Sequence, residues 1–304
     1  MNDELIVVTG AAGQTGQSVL RHLTSRGART RALVSRESSV AAVRAAGAVE
    51  VTQGRLERAE DMRAALRGST RVYHICPAMS DAEIPIGGNL ISAALAEGVR
   101  HLVFHSVVHA QADALPHHRD KRVVEGMFIE SPLPYTILQP AMYMQNTRWE
   151  WRNIVERGVY ALPYSEHARM SLVDLEDVSE AAAIVLTGDT FVGGCFELCS
   201  GDNLTRVQMA EVLAQALGRE VHAETGLVED WKRAACASGT RRDFQIDRVA
   251  VMFEHYHRHG LSGGNRKILE MMLGRAPNDY AAFVRRFAVE QGHTLGTAGT
   301  RRTV

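Results

Sequence analysis

Four cysteines in 304 residues are too few for a disulfide framework, and none of Cys76, Cys195, Cys199 and Cys236 forms the CxxC pair that would hold zinc. All four read as thiols, with Cys195 and Cys199 in or beside one strand. No run of about 18 apolar residues is present, so no membrane span is expected. The start, Met1-Asn2-Asp3-Glu4, is acidic where an export signal is basic, which leaves the cytoplasm as the default location. Neither sign of charge predominates: 34 Lys and Arg against 35 Asp and Glu leave −1. Such a chain has no global attraction to nucleic acid or an anionic membrane, and no local basic patch supplies one. With 45% hydrophobic and 23% charged residues, the composition also excludes a disordered or collagen-like chain.

What is present is alternation. Short apolar runs rich in Val and Ile (Leu5–Thr9, Thr30–Val34, Val49–Gln53, Val72–Cys76, Leu102–Ser106, Tyr135–Leu138) are separated by segments with helical spacing, among them Gly16–Arg26, Arg36–Ala46, Ala59–Arg67 and Gly87–Glu97. This rhythm predicts βαβ units and an α/β fold with a doubly wound parallel, Rossmann-like sheet. Gly27, Gly47, Gly68 and Gly98 stand where helix stops are wanted. After about Asn146 the rhythm changes: a helix over Trp149–Arg157, a loop over 158–164, helices over Asp177–Thr187 and Thr205–Leu217 around a strand at Gly194–Cys199, then mostly helix from Leu227 to Ala288 with a break at Ser262-Gly263-Gly264. Asp177 is expected to cap its helix. The expected organisation is a dinucleotide-binding domain over 1–155, a smaller, mostly helical substrate or lid region over 156–291, and a flexible tail over 292–304.

The chemistry begins at Gly10-Ala11-Ala12-Gly13-Gln14-Thr15-Gly16, directly after the first strand and at the opening of a helix. Gly10 would permit a tight turn, Gly13 the close approach of a pyrophosphate, and Gly16 close packing of helix on strand; Gln14 and Thr15 lie in the same loop, before the helix whose N-terminal N–H groups face the anion. At the end of the second strand, where an acid would hold a ribose 2′-hydroxyl, stand Ser35 and Arg36. A hydroxyl and a planar guanidinium favour a 2′-phosphate, hence NADP(H) over NAD(H).

The GxxGxxG spacing resembles the extended and atypical short-chain dehydrogenases/reductases. Pro116-His117-His118-Arg119-Asp120-Lys121, Glu125, the run from Ser131 through Tyr135-Thr136-Ile137-Leu138-Gln139-Pro140, and Met144-Gln145-Asn146 bring the match to the NmrA-like branch. The resemblance implies that Leu56 packs on adenine, although Arg55 replaces the usual acid beside it. It also implies that Cys76 and Pro77 pass the nicotinamide-side ribose. The Tyr-xxx-Lys pair of short-chain dehydrogenases is absent; His117-xxx-Lys121 stands in its place after Ser106. Lys121 would bind the ribose hydroxyls, His117 would donate or orient a proton, and Ser106 would assist. Tyr143, Met144 and Trp149, after the sixth strand, would line a pocket for a flat apolar substrate, with half of that apolar group equally suited to a core. No metal is expected: the histidines near His117 lack a completing carboxylate, and His255, His257 and His259 alternate along their helix.

Two functions are compatible with these residues. One is an NADPH-dependent reductase of a small apolar carbonyl, quinone or conjugated compound; the other is a dinucleotide-binding redox sensor that turns nothing over. The expected partner is a small-molecule substrate, and a homo-oligomer is compatible with the sequence.

Overall fold

The computed structural model describes residues 4–295. The six early apolar runs form β1 (Leu5–Val8), β2 (Arg29–Val34), β3 (Glu50–Gln53), β4 (Arg71–His74), β5 (His101–His105) and β6 (Tyr135–Pro140). A later strand, Gly194–Leu198, joins them in one seven-stranded sheet, in the order Gly194–Leu198, β6, β5, β4, β1, β2, β3. Every pairing is parallel. The strand order reverses between β1 and β4, which is the defining feature of a doubly wound sheet and the place where such sheets open a crevice.

Each crossover is a helix: α1 (Gln14–Ser25), α2 (Val40–Ala45, after a 3-10 turn at Glu37–Ser39), α3 (Ala59–Leu66), α4 (Glu83–Glu97) and α5 (Pro116–Glu130). Gly27, Gly47, Gly68 and Gly98 end their elements at positive φ, as expected. One face of the sheet packs Val72, Leu102, Phe104 and Ile137 against Met62, Ile86, Leu90, Val124 and Phe128 of the covering helices. Burial on both faces explains why β1, β4 and β5 are buried along their whole length. On the other face, α1 is tied to the helix Leu175–Thr187 by Glu176, which bonds Ser18 and, at 3.1 Å, His22.

The chain divides into two compact units. The first runs to Pro140 and takes back Leu175–Leu198 and Lys267–Arg275; the second holds 141–174, 199–266 and the chain from Ala276. This differs from one cut after residue 155, because the strand Gly194–Leu198 finds its hydrogen-bond partner only on β6. Asp177 also differs from expectation. It lies inside the first turn of its helix, where it accepts from Arg275 at 2.7 Å, and does not cap it.

The second unit contains a strand, Val159–Leu162, within the stretch 158–164 that the sequence reads as a loop. Val159–Leu162 pairs in parallel with His222–Thr225. A buried side chain bridges the pair: Arg206, 1% exposed, donates to the carbonyls of Leu162 (3.1 Å) and Tyr164 (2.6 Å) on one side and Glu224 (2.5 Å) on the other. Met142–Tyr143, Met170–Val173 and Asn203–Leu204 form a small three-stranded sheet. On the helix Asp243–His259, His255 and His259 are four apart and do share a face, with ring centroids 4.9 Å apart. Among the described residues, no helix is long and apolar enough to cross a membrane. Of the expected tail, 296–304 lie outside the described residues.

Candidate cofactor site at the carboxyl ends of the strands

The three loop glycines separate on geometry. Gly10 has φ +59, and a Cβ there would stand 2.8 Å from the Ile75 carbonyl oxygen. At Gly16 a Cβ would stand 2.5 Å from the Gly10 oxygen and 2.6 Å from Ala11 Cα. Both glycines are therefore demanded by the chain's own packing. Gly13 is not: its φ is −72, and a Cβ would meet only the Gly10 oxygen, at 3.4 Å. Gly13 and Gln14 are exposed, no acid lies in the first turn of α1, and no side chain caps it. The first intrahelical bond runs from Gln17 N–H to the Gly13 carbonyl, so the N–H groups of Gln14, Thr15 and Gly16 have no partner within the helix. An open cradle at the positive end of a helix fits a pyrophosphate.

Ser35 and Arg36 follow β2 directly, both exposed. The Arg36 guanidinium makes no ion pair among the described residues. Leu56 is less available. It is 9% exposed and belongs to the core cluster, so it offers only an edge to a ring.

Beyond β4 the residues are of a different kind. Thr9 Oγ1 bonds His74 Nδ1 at 2.8 Å and accepts from the Ile75 N–H at 3.0 Å, linking the glycine loop to the end of β4. Cys76 is buried, and burial together with the Glu83 carboxylate pushes its thiol up. Pro77 is exposed and begins a turn in which Met79 takes φ +58, a left-handed conformation uncommon for a residue with a side chain. Lys121, on α5, donates to Glu83 at 2.9 Å and to the His105 carbonyl at 3.3 Å. His74 and His105 are both held down to about 3, chiefly by burial and then by the Lys121 charge, so both imidazoles are neutral at pH 7. His105 Nδ1 bonds the Tyr73 hydroxyl at 2.6 Å.

Ser106 lies at the end of β5, 3% exposed, and its hydroxyl donates to Glu125. Gln139 donates to the same carboxylate oxygen at 2.7 Å. A serine hydroxyl has one proton, so in this arrangement Ser106 presents only lone pairs to a ligand. His117 is half-buried one turn before Lys121, its ring edge-on to His118 at 4.5 Å. His118 Nδ1 bonds the carbonyl of His109, the second non-glycine residue at positive φ (+55).

Tyr143, Met144 and Trp149, in the second unit, occupy three environments. Tyr143 is half-buried, Met144 is core at 1% exposure, and Trp149 is 70% exposed. Sequence reasoning missed Glu83 altogether. An acid in the first turn of a helix is ordinary, and only the fold brings it to Lys121.

Comparison with known proteins gives the chain's relatives and its family. The chain is 28% identical over 237 residues to the NAD(P)H azoreductase of Xenophilus azovorans, covering 77% of this chain and 82% of that one. The NADPH-dependent quinone oxidoreductase of Escherichia coli, solved with NADPH, superposes with a TM-score of 0.80 at 25% identity, over 93% of this chain and 99% of that one. The triphenylmethane reductase of a Citrobacter species, solved with NADP(H), shares the fold at a TM-score of 0.80 and 22% identity, over 92% and 99% of the two chains. The model of the NmrA-like family matches residues 2–265. The chain belongs to the NmrA-like family.

Proposed function

We propose that the protein is an NADPH-dependent reductase of small, largely apolar conjugated compounds such as quinones, carbonyls or azo compounds. The observation that carries the reading is Gly13: a glycine that the fold does not need, exposed at a helix N-terminus after β1, with an exposed guanidinium after the neighbouring strand β2 that makes no ion pair among the described residues. Gly10, Gly13, Gln14, Thr15 and Gly16 hold the pyrophosphate, Ser35 and Arg36 the 2′-phosphate, and Leu56 the edge of the adenine. Cys76 and Pro77 line the approach to the nicotinamide-side ribose, and Lys121 binds its hydroxyls. The cofactor supplies hydride when bound. Ser106 accepts a hydrogen bond from the ligand, His117 delivers or orients the proton, and Tyr143, Met144 and Trp149 contribute to substrate binding. The names of the relatives, which act on azo compounds and quinones, support a conjugated acceptor.

The test is NADPH oxidation against quinones, azo dyes, aldehydes, ketones and enones, with NADPH and NADH affinities measured alongside. Turnover of at least one class, with NADPH bound more tightly than NADH, is expected. Tight NADPH binding without turnover across the panel would replace the reductase with the redox sensor.

A further inference from the structure

Lys121 and Glu83 form an ion pair with side chains only 14% and 6% exposed. Removing two charges from water costs several kcal/mol apiece, on the order of what their attraction returns, so a packed apolar pair would serve the fold as well. Stability alone does not explain the pair. Several groups around it are uncharged: the His74 and His105 imidazoles are neutral at pH 7, the Cys76 thiol beside Glu83 keeps its proton, and the ammonium lies 5.1 Å from the centre of the Phe104 ring. An ammonium has three N–H donors. Two are committed, one to Glu83 and one to the His105 carbonyl, at 2.9 and 3.3 Å. The lysine stem has four rotatable carbons and considerable rotamer entropy, so the direction of the third donor depends on what fixes the other two.

We propose that Glu83 is the positioning residue of this site: from the first turn of α4 its carboxylate anchors the Lys121 ammonium so that the remaining N–H is held toward the nicotinamide ribose. The inference rests on the reading that Lys121 meets the cofactor. Glu83 itself touches neither cofactor nor substrate. Its contribution therefore falls on the placement of the nicotinamide and not on the tightness of binding, which the glycine loop and Arg36 set.

The experiment compares Lys121→Ala, Glu83→Gln, Glu83→Asp and the double variant Lys121→Ala/Glu83→Gln. The readouts are NADPH Kd, the emission of bound NADPH, which reports the surroundings of the nicotinamide, and kcat. Misplacement by about 1 Å costs up to ~10²-fold in rate. Glu83→Gln should therefore lower kcat by about 10-fold or more and shift the bound-NADPH emission, with Kd changed less than about 3-fold. Glu83→Asp, which keeps the charge but draws it back by one methylene, should recover part of both, and the double variant should be no slower than Lys121→Ala. Wild-type emission and kcat in Glu83→Gln, with Lys121→Ala impaired, overturn the role of Glu83 and leave that of Lys121 standing. Wild-type behaviour in Lys121→Ala overturns both. If Glu83→Gln does not fold, Glu83→Asp decides: reduced kcat and shifted emission at unchanged Kd support the anchor, and wild-type values refute it.

Discussion

β4 and β5 each begin and end in a polar, buried residue, and the two ends are built differently. At the amino ends, Arg71 donates to Glu4 (3.2 Å), Asp189 (2.7 Å) and the Gly188 carbonyl (2.9 Å) and bonds His101, which in turn bonds Thr136. Every nitrogen of the Arg71 guanidinium is engaged. At the carboxyl ends the Lys121 ammonium has two protein partners for three N–H donors, the first turn of α1 has free N–H groups, and Ser106 shows its lone pairs. Both ends bury charge, so burial alone does not mark a functional end. The distinction is hydrogen-bond saturation: a closed network holds strands together, and an open one has capacity left for a ligand.

The sharpest way to break this contrast is Gly13→Val. The side chain would fill the cradle that α1 leaves open, and its Cβ would meet only the Gly10 oxygen, at 3.4 Å, so dinucleotide binding should fall by ~10³-fold or more with little change in Tm. A folded Gly13→Val protein with wild-type NADPH titration would show that the open end is not the phosphate site.

Acid should act next, and at both ends. The His74 and His105 imidazoles are held down to about 3 and that of His101 to about 4, all below the ordinary 6.5. The unfolded chain therefore binds more protons in this interval. The stability is complete above pH 6.5 and is lost as pH falls from there toward 3–4, by about 2 kcal/mol per imidazole at pH 5. Denaturant unfolding at pH 7 and pH 5 measures the loss. His105→Asn should lose correspondingly less on acidification, and an equal loss in variant and wild type would mean that His105 is not the buried neutral group described.

Arg71→Met tests the closed end. Deleting the bonds to Glu4 and the Gly188 carbonyl should cost about 2–3 kcal/mol; Asp189, 80% exposed, regains water. NADPH affinity of the folded protein should not change. A variant of wild-type stability with weakened NADPH binding would erase the distinction between the two ends.

The same distinction explains what could be read in the sequence. The parallel sheet, the helix stops and the glycine loop were legible because each depends on neighbours in the chain: apolar period, terminal glycines, a strand running into a helix. The pairing of Val159–Leu162 with His222–Thr225 was not, since it joins a four-residue strand to a polar one and is bridged by Arg206, which lies in sequence between them. Glu83 escaped for a related reason, and of Glu125 only its place in the NmrA-like motif was legible. Their partners, Lys121 for the first and Ser106 and Gln139 for the second, lie 14 to 38 residues away, a separation that carries no period. Asp177 was read as a cap because acids favour helix starts, and a cation brought by the fold, Arg275, claims it instead.

The smallest expected effect lies farthest from the chemistry, at the end of β2. Arg36 takes extended backbone (φ −133, ψ 139) as the cap of the following 3-10 turn, and its carbonyl accepts from Ser39 N–H at 3.1 Å, so the main chain is fixed while the exposed guanidinium has no ion pair among the described residues. Among the described residues, none loses a partner when the side chain is removed. Arg36→Ala should therefore leave Tm unchanged. It should remove one charge-assisted contact to a 2′-phosphate, worth about 1.5–3 kcal/mol, which weakens NADPH by about 10-fold or more. NADH, which has no 2′-phosphate, should bind as before, and kcat at saturating NADPH should stay near wild type because the proposed placement of the nicotinamide by Lys121 and Glu83 does not involve Arg36. Parallel titrations of both cofactors read the difference directly. Equal losses for NADPH and NADH, or equal affinities in the wild type, would mean that the guanidinium does not meet the 2′-phosphate, and cofactor preference would then have to come from elsewhere in the loop after β2.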